Sequence, residues 1–157
     1  MTEKVKNYST EDIFIRNNKV IKTLRNRLLK LSNRSSYPFV DVKLGSIPSD
    51  IAHSELFGHE KGAFTGAISK KNGIIYQAKD GTLFLDEIES IDQRLLSFFI
   101  RFFEKNVIRP MGAFHEITVN ARIIVAAPKN IDLSSIFTTA LLQRLNIVID
   151  LPLLSND

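Results

Sequence analysis

The chain has 157 residues, of which 44% are hydrophobic and 24% charged, a balance typical of one globular domain and not of a disordered chain. It contains no cysteine, which excludes disulfides and cysteine–zinc sites. The net charge of +4 is mild and spread along the sequence, so charge alone does not indicate nucleic-acid binding. With neither a signal-peptide core nor a membrane-length apolar run, we expect a cytoplasmic protein that does not bind a membrane.

The first part of the chain predicts a tail, a helix and a strand. Residues 1–12 are polar and are interpreted as an N-terminal tail. Apolar residues then recur at helical spacing over 18–31, with basic residues on the other faces. We interpret the basic face as the solvated side of a packing helix, with phosphate contact as the alternative. Residues 39–44 predict a strand, and a short helix should begin near Pro48 and stop at Gly58.

Further along, residues 74–78 predict a short packed segment between two turns at 70–73 and 79–81. Residues 82–85 form a continuous apolar run, as expected for a parallel strand covered on both faces.

A capping-box pattern at residues 90–93 predicts the start of a helix that runs to about residue 104. This helix carries more apolar residues than one stripe needs, so it is either deeply buried or partly in an interface. We interpret Phe99 and Phe103 as core residues and not as a ligand site. The remaining predicted elements are a loop at 106–116, a strand at 122–127, a helix at 136–145 and a strand at 146–151. Alternating strands and helices predict a layered α/β domain.

Residues 58–67 form the most distinctive stretch, Gly-His-Glu-Lys-Gly-Ala-Phe-Thr-Gly-Ala. Glycine permits positive φ, so this glycine-rich run predicts a mobile loop. Phe64 and Thr65 between its last two glycines indicate a loop that contacts another molecule, with an ordinary surface turn as the alternative. Membrane-helix dimers also use Gly-x-x-x-Gly spacing, but the charged Glu60 and Lys61 exclude that use here.

A second candidate site follows the predicted strand at 82–85, where Asp86 and Glu87 stand side by side. In an open α/β sheet, the carboxyl ends of the strands are where ligands bind. The alternative interpretation is that the two carboxylates are helix-start charges that favour the helix dipole.

With the flanking residues 54–57 and 81–87, the loop resembles the signature of the bacterial sigma-54 activators, a branch of the AAA+ ATPases. The resemblance extends over residues 13–153. It implies a single α/β domain over that range, a reduced AAA+ P-loop-type three-layer domain with a mostly parallel sheet. We expect neither the family's lid domain nor a DNA-binding domain in this sequence.

The resemblance assigns roles to residues of both candidate sites. In the family, the GAFTGA loop contacts sigma-54 bound to RNA polymerase; here it comprises Gly62, Ala63, Phe64, Thr65, Gly66 and Ala67. Residues 83–87 resemble a Walker B motif, in which Asp86 would hold Mg²⁺ through water and Glu87 would polarise the attacking water. Of two family arginines that reach the neighbouring subunit's ATP, the first falls on Thr138 and the second on Arg144.

Other parts of the family's ATP site are missing from the sequence. No Gly-x-x-x-x-Gly-Lys-Ser/Thr run, which would cradle the phosphates, precedes the strand at 39–44. Lys43 stands where the family has a nucleotide-sensing asparagine, and Pro128-Lys129 stand where it has Thr-Asn.

We interpret residues 15–21 as the family's first helix and residues 37–42 as its second strand. The strand, phosphate loop and helix that the family has between them would then be deleted. The sheet should lack the strand that precedes the phosphate loop. Residues 123–126 and 147–151 should therefore pair directly or expose two edges, in a four-stranded sheet of lower stability.

The sequence therefore predicts a sigma-54-interaction domain of a transcription regulator that acts without ATP hydrolysis of its own. We expect no cofactor, since ATP and Mg²⁺ are implied by the resemblance alone. The expected partners are sigma-54 with RNA polymerase, and either further copies of the chain or intact family members in a ring. The alternatives are an ATPase module that completes its nucleotide site in an oligomer and an inactive gene fragment. Direct DNA reading is not expected, because family members use a separate helix-turn-helix module.

Overall fold

A computed structural model of the chain describes residues 13–16, 26–27, 30–128, 130–144 and 147–150. The strands, in chain order, are β1 (Ile13–Arg16), β2 (Phe39–Lys43), β3 (Gly58–His59), β4 (Lys71–Asn72), β5 (Thr82–Asp86), β6 (Val107–Ile108), β7 (Ile117–Thr118), β8 (Arg122–Ala127) and β9 (Ile147–Asp150). The helices are α1 (Ala52–Phe57), α2 (Ile74–Gln77), α3 (Leu96–Lys105) and α4 (Thr139–Arg144). Single 3-10 turns lie at Leu44–Ser46, Ile88–Ser90, Gln93–Leu95 and Leu133–Ser135.

Within the described residues, the main sheet has five strands in the order β2-β5-β8-β1-β9, and every neighbouring pair is parallel. The strands β5 and β8 are buried along almost their whole length, as the apolar runs in the sequence predict. The α/β class and the mostly parallel sheet are therefore confirmed.

The strand β1 contradicts the prediction of a four-stranded sheet. It lies between β8 and β9, with Ile13 opposite Ile124 on one side and Ile147 on the other. The prediction that the sheet lacks this strand was wrong, because residues 15–21 were interpreted as the start of a helix. A short run of branched and aromatic residues fits a central strand better. The loss of stability expected from a missing strand therefore has no basis.

The core is built around α3, which carries a cluster of aromatic residues. Phe99, Phe102 and Phe103 are buried, and the Phe99 ring meets that of Phe57 edge to face at 5.2 Å. This confirms that Phe99 and Phe103 belong to the core. The helix begins later than the capping-box pattern predicted, because the first cap is the Asp92 carboxylate, which accepts a hydrogen bond from the Arg94 backbone N–H.

Two other predictions need adjustment. The predicted loop at 106–116 contains β6, which pairs with β7 in a short antiparallel ladder. The predicted helix at 136–145 is realised as the shorter α4, after a 3-10 turn. Of the helix predicted over 18–31, residues 26–27 and 30–31 are helical and the others lie outside the described residues, as does the tail at 1–12. Among the described helices, none has the length and apolar character needed to cross a membrane.

Candidate functional site

The residues of the sequence signature form a loop, residues 60–70, which we call the contact loop. Its base is the ladder of β3 and β4, in which Gly58 pairs with Asn72 and His59 with Lys71. Gly58 also ends α1 and has φ +86°, and a Cβ at this position would collide with the Lys71 carbonyl oxygen. Glycine is thus required where the helix turns into the ladder.

A second loop, residues 109–116, supports the contact loop from one side. The Glu60 N–H donates to the Met111 carbonyl oxygen, and the Met111 N–H donates to the Gly58 carbonyl oxygen, both at 2.9 Å. Gly112 lies so close to the contact loop that a Cβ there would stand 2.8 Å from the Ala63 Cβ. The two loops are therefore joined backbone to backbone.

The tip of the contact loop, residues 62–67, is a compact turn closed by its own backbone. The Gly62 N–H donates to the Ala67 carbonyl oxygen at 2.8 Å, and the Ala67 N–H donates to the Phe64 carbonyl oxygen at 3.0 Å. Gly62 and Gly66 both have positive φ. This turn exposes Phe64 by 42% and leaves Thr65 exposed. The tip thus presents an aromatic ring beside a hydroxyl to solvent.

Phe64 is oriented by a buried pair that sequence reasoning missed. The His59 ring meets the Phe64 ring edge to face at 5.0 Å, and its Nδ1 lies 2.6 Å from the Ser54 Oγ. Both members of this pair are buried. Ser54 and His59 both belong to the signature, four residues before and one residue after Gly58. Two polar residues so close to this glycine were the available signal.

Charged pairs brace the base of the contact loop. Lys70 and Glu60 form an ion pair at 2.9 Å, and Lys71 pairs with Glu55 of α1. These pairs are partly exposed, so each contributes less than about 1 kcal/mol to stability. The backbone bonds, and not these pairs, hold the loop in place.

Exposed apolar side chains extend the surface that the tip presents. Ile68 on the contact loop is 84% exposed, and Phe114 on the second loop is fully exposed at 100%. Phe114 lies within the loop predicted at 106–116 but was not among the predicted site residues. A large aromatic residue in a loop that contains proline and glycine was the available signal.

The acidic pair lies at the carboxyl edge of the main sheet. Asp86 ends β5, and its Oδ1 accepts a hydrogen bond from the Glu87 N–H at 2.8 Å. Burial raises the pKa of Asp86, and the charges of Glu87 and Asp41 raise it further, against the opposing effects of that hydrogen bond and of Lys43. Glu87 has φ +57°, a backbone conformation that costs energy for a residue other than glycine.

Glu87 is engaged by a cation of the chain itself. The Lys43 Nζ lies 3.1 Å from the Glu87 Oε1. Lys43 ends β2 directly opposite Asp86 of β5, so the sheet register brings the lysine to the acidic pair. Gly45 makes room for the carboxylate, because a Cβ there would collide with the Glu87 Oε2.

The residues at this edge do not fit the Mg-ATP of the family. Gly45 is the first glycine of the chain, so no glycine-rich loop precedes β2 to cradle phosphates. Among the described residues, no three histidine, aspartate or glutamate side chains group as metal ligands. Glu87, which should polarise water, is paired with an ammonium instead.

The positions of the two family arginines lie at the ends of α4. Thr138 precedes the helix, and its Oγ1 accepts a hydrogen bond from the Leu141 N–H at 3.4 Å. Arg144 is the last residue of α4. Thr138 is thus a helix cap, and the role of Arg144 toward a neighbouring subunit stays a prediction.

A parallel five-stranded sheet with an acidic pair at its carboxyl edge and a glycine-bounded loop on a short ladder is the architecture of an AAA+-type domain. The model of one family within this class, the sigma-54 interaction domain, matches residues 19–150. The chain belongs to the sigma-54 interaction domain family.

Several relatives and solved structures resemble the chain. The transcriptional regulatory protein GlrR of Escherichia coli K12 is 37% identical over 139 residues, which cover 80% of this chain and 31% of that protein. The DNA-binding transcriptional regulator NtrC of Klebsiella pneumoniae is 39% identical over 120 residues, or 74% of this chain and 26% of that protein. The chain thus spans less than a third of the length of these relatives.

Crystal structures of NtrX from Brucella abortus share the fold. One covers 92% of this chain and 34% of its own, with a TM-score of 0.78 at 24% identity. Another, in complex with ATP, covers 93% of this chain and 33% of its own, with a TM-score of 0.75 at 23% identity. These structures support the fold assignment alone.

Proposed function

We propose that this chain is the sigma-54-contacting part of a bacterial transcription regulator and that it works in the cytoplasm without hydrolysing ATP itself. Contact is made through Gly62, Ala63, Phe64, Thr65, Gly66 and Ala67. The observation that carries the proposal is the contact loop itself. Backbone hydrogen bonds close both the base of the loop, which is the β3–β4 ladder, and its tip. The tip exposes Phe64 and Thr65. The family is described by its interaction with sigma-54, which names the partner.

The exposed surface supports protein contact at this loop. Phe64, Ile68 and Phe114 are exposed large apolar residues on two loops that are bonded to each other. Aromatic residues such as Phe are enriched in protein interfaces, where a few buried anchors supply most of the binding energy. Thr65 adds a hydroxyl for which no hydrogen-bond partner is found in the described part of the chain, and a bound protein can supply one.

The energetics of phosphate binding argue against an ATPase. Each hydrogen bond to a charged group contributes about 1.5–3 kcal/mol, so the loss of about five phosphate contacts removes roughly 7 kcal/mol or more. At about 1.4 kcal/mol per factor of ten, ATP affinity falls by about five orders of magnitude. Micromolar binding would become negligible.

The retained acidic pair favours one alternative, an ATPase that completes its nucleotide site from another copy or from an intact relative. In that case Asp86 would hold the metal, Glu87 would act on water and Arg144 would reach across the interface. Phosphate release measured with and without Glu87→Ala decides between the two, since a Glu87-dependent signal contradicts our proposal. An inactive fragment is the remaining alternative, and a cooperative melting transition of the isolated chain would argue against it.

The test of the proposal is binding of the purified chain to sigma-54 assembled with core RNA polymerase. We expect Phe64→Ala and Thr65→Ala each to weaken binding by roughly tenfold or more, because each removes a central contact. Tyr37→Ala is the matched control, since Tyr37 is a 50% exposed aromatic residue outside both loops. Equal binding by wild type, Phe64→Ala and Thr65→Ala would contradict the proposal.

A further inference from the structure

The carboxyl edge of the main sheet holds an ion pair between the two strand ends β2 and β5. The carboxylate that resembles the catalytic acid of Walker B, Glu87, faces the ammonium of Lys43 at 3.1 Å. The lysine is 60% exposed and the glutamate 24%. An ion pair of this exposure adds little to folding stability, so stability alone does not account for it.

Several features of the backbone bring the Lys43 and Glu87 side chains together. Lys43 and Asp86 are directly opposite in the β2–β5 register, which places the ammonium over the end of β5. The positive φ of Glu87 turns the chain sharply after the strand. Gly45 leaves the space that the Glu87 carboxylate fills. The pair therefore rests on strand register and on a local backbone conformation that has an energetic cost.

We propose that Lys43 is the resident cation of this edge and takes the place of a divalent metal ion. The ammonium pairs with Glu87, and the charge of Lys43 also acts on Asp86, as does that of Asp41. A divalent ion that approached these carboxylates would meet the repulsion of the Lys43 ammonium, which lies 3.1 Å from the Glu87 Oε1. Lys43 is thus a positioning residue that keeps the acidic pair in place without Mg²⁺.

This inference rests on the proposed function, since it explains how the chain tolerates its acidic edge when nucleotide and metal are not used. It adds a specific expectation that the proposed function does not contain. Removal of the lysine charge should turn Asp86 and Glu87 into a weak divalent-cation site, because the ammonium would no longer compete with an approaching ion for their oxygen atoms.

The experiment is a titration of the purified chain with Mn²⁺, with free Mn²⁺ followed by its electron paramagnetic resonance signal. We expect Lys43→Met to bind Mn²⁺ roughly tenfold more tightly than wild type, because the opposing charge is removed. Lys79→Met is the matched control. Lys79 is an exposed lysine that precedes β5, and its substitution changes the net charge by the same amount. The double variant Lys43→Met with Glu87→Gln should lose the gain.

A gain that Lys79→Met shares, or one that survives Glu87→Gln, would overturn the inference. Wild type that binds Mn²⁺ as tightly as Lys43→Met would overturn it as well. Lys43→Gln, which keeps a polar side chain, serves as a second neutral variant and should behave like Lys43→Met. No sigma-54 is present in this titration, so its failure would leave the Phe64 and Thr65 experiment standing as a separate test.

Discussion

The contact loop and the carboxyl edge of the main sheet both carry the family's signature residues, but they are held together differently. The contact loop is closed by backbone hydrogen bonds to β4 and to the second loop. At the carboxyl edge, Glu87 of the acidic pair instead contacts the Lys43 side chain, and no glycine-rich run precedes β2 in the sequence. Backbone bonds therefore fix the shape of the contact loop, whereas the surroundings of the acidic pair depend on one lysine side chain.

The largest effect should come from the base of the contact loop. Gly58→Ala should lower the free energy of unfolding by about 3 kcal/mol, because its positive φ is strained for alanine and its Cβ collides with backbone. Gly62→Ala is the matched control at the tip, where a Cβ meets nothing within 4 Å. It should cost about 1 kcal/mol, for the backbone strain alone. Urea unfolding of both variants measures the difference. Equal losses in the free energy of unfolding would contradict the structural role of the β3–β4 base.

A smaller effect should come from the pair that orients Phe64. Ser54→Ala leaves the buried His59 ring without its partner at Nδ1, so it should lower the free energy of unfolding by about 1–2 kcal/mol and weaken sigma-54 binding. Ser46→Ala removes an exposed hydroxyl that donates to the Lys43 carbonyl oxygen, and it should cost less than about 0.5 kcal/mol. Thermal melting and sigma-54 binding of both variants check this. Unchanged binding by Ser54→Ala would show that the orientation of Phe64 does not matter.

At the carboxyl edge, we expect a substitution to raise the free energy of unfolding instead of lowering it. Burial raises the pKa of Asp86 above its ordinary value of 3.8, so its ionised form costs folding stability at neutral pH. The stabilising contribution of a raised carboxyl pKa is present below the unfolded value and is lost as the pH rises through the folded value. Asp86→Asn, whose Oδ1 can still accept from the Glu87 N–H, should therefore raise stability at pH 7 by less than about 1 kcal/mol.

That gain from Asp86→Asn should shrink as the pH falls toward 3.8, because wild-type Asp86 then becomes protonated. Melting temperatures of both proteins between pH 7 and pH 4 measure this dependence. Asp50→Asn is the matched control, since Asp50 is exposed and its carboxylate stays in water in both states. A loss of stability in Asp86→Asn at pH 7 would contradict the prediction, because it would mean that the ionised carboxylate stabilises the fold.

How much the sequence predicts differs between the same two regions. The buried strands β5 and β8 were predictable, because continuous apolar runs bounded by turns are typical of central parallel strands. The strand β1 was not, because a short apolar run before a helical pattern fits either element until its neighbours in the sheet are known. The contact loop was predictable from Gly62 and Gly66, whose positive φ the tip requires.

Side-chain partners were beyond the sequence, even where the residues had been singled out. Lys43 and Glu87 were both noted, but their ion pair depends on the register of β2 on β5. The contact of His59 with Phe64 depends on how the tip of the contact loop packs against β3. Such pairs arise from tertiary geometry, and no local pattern encodes them.

The decisive experiment is the affinity of the purified chain for sigma-54 on RNA polymerase, determined with and without Mg-ATP. We expect the same affinity in both conditions, because backbone bonds hold the contact loop and no glycine-rich run precedes β2 to cradle phosphates. Binding that appears only with Mg-ATP would contradict it, and so would a Mg-ATP-dependent gain in affinity that Glu87→Ala abolishes.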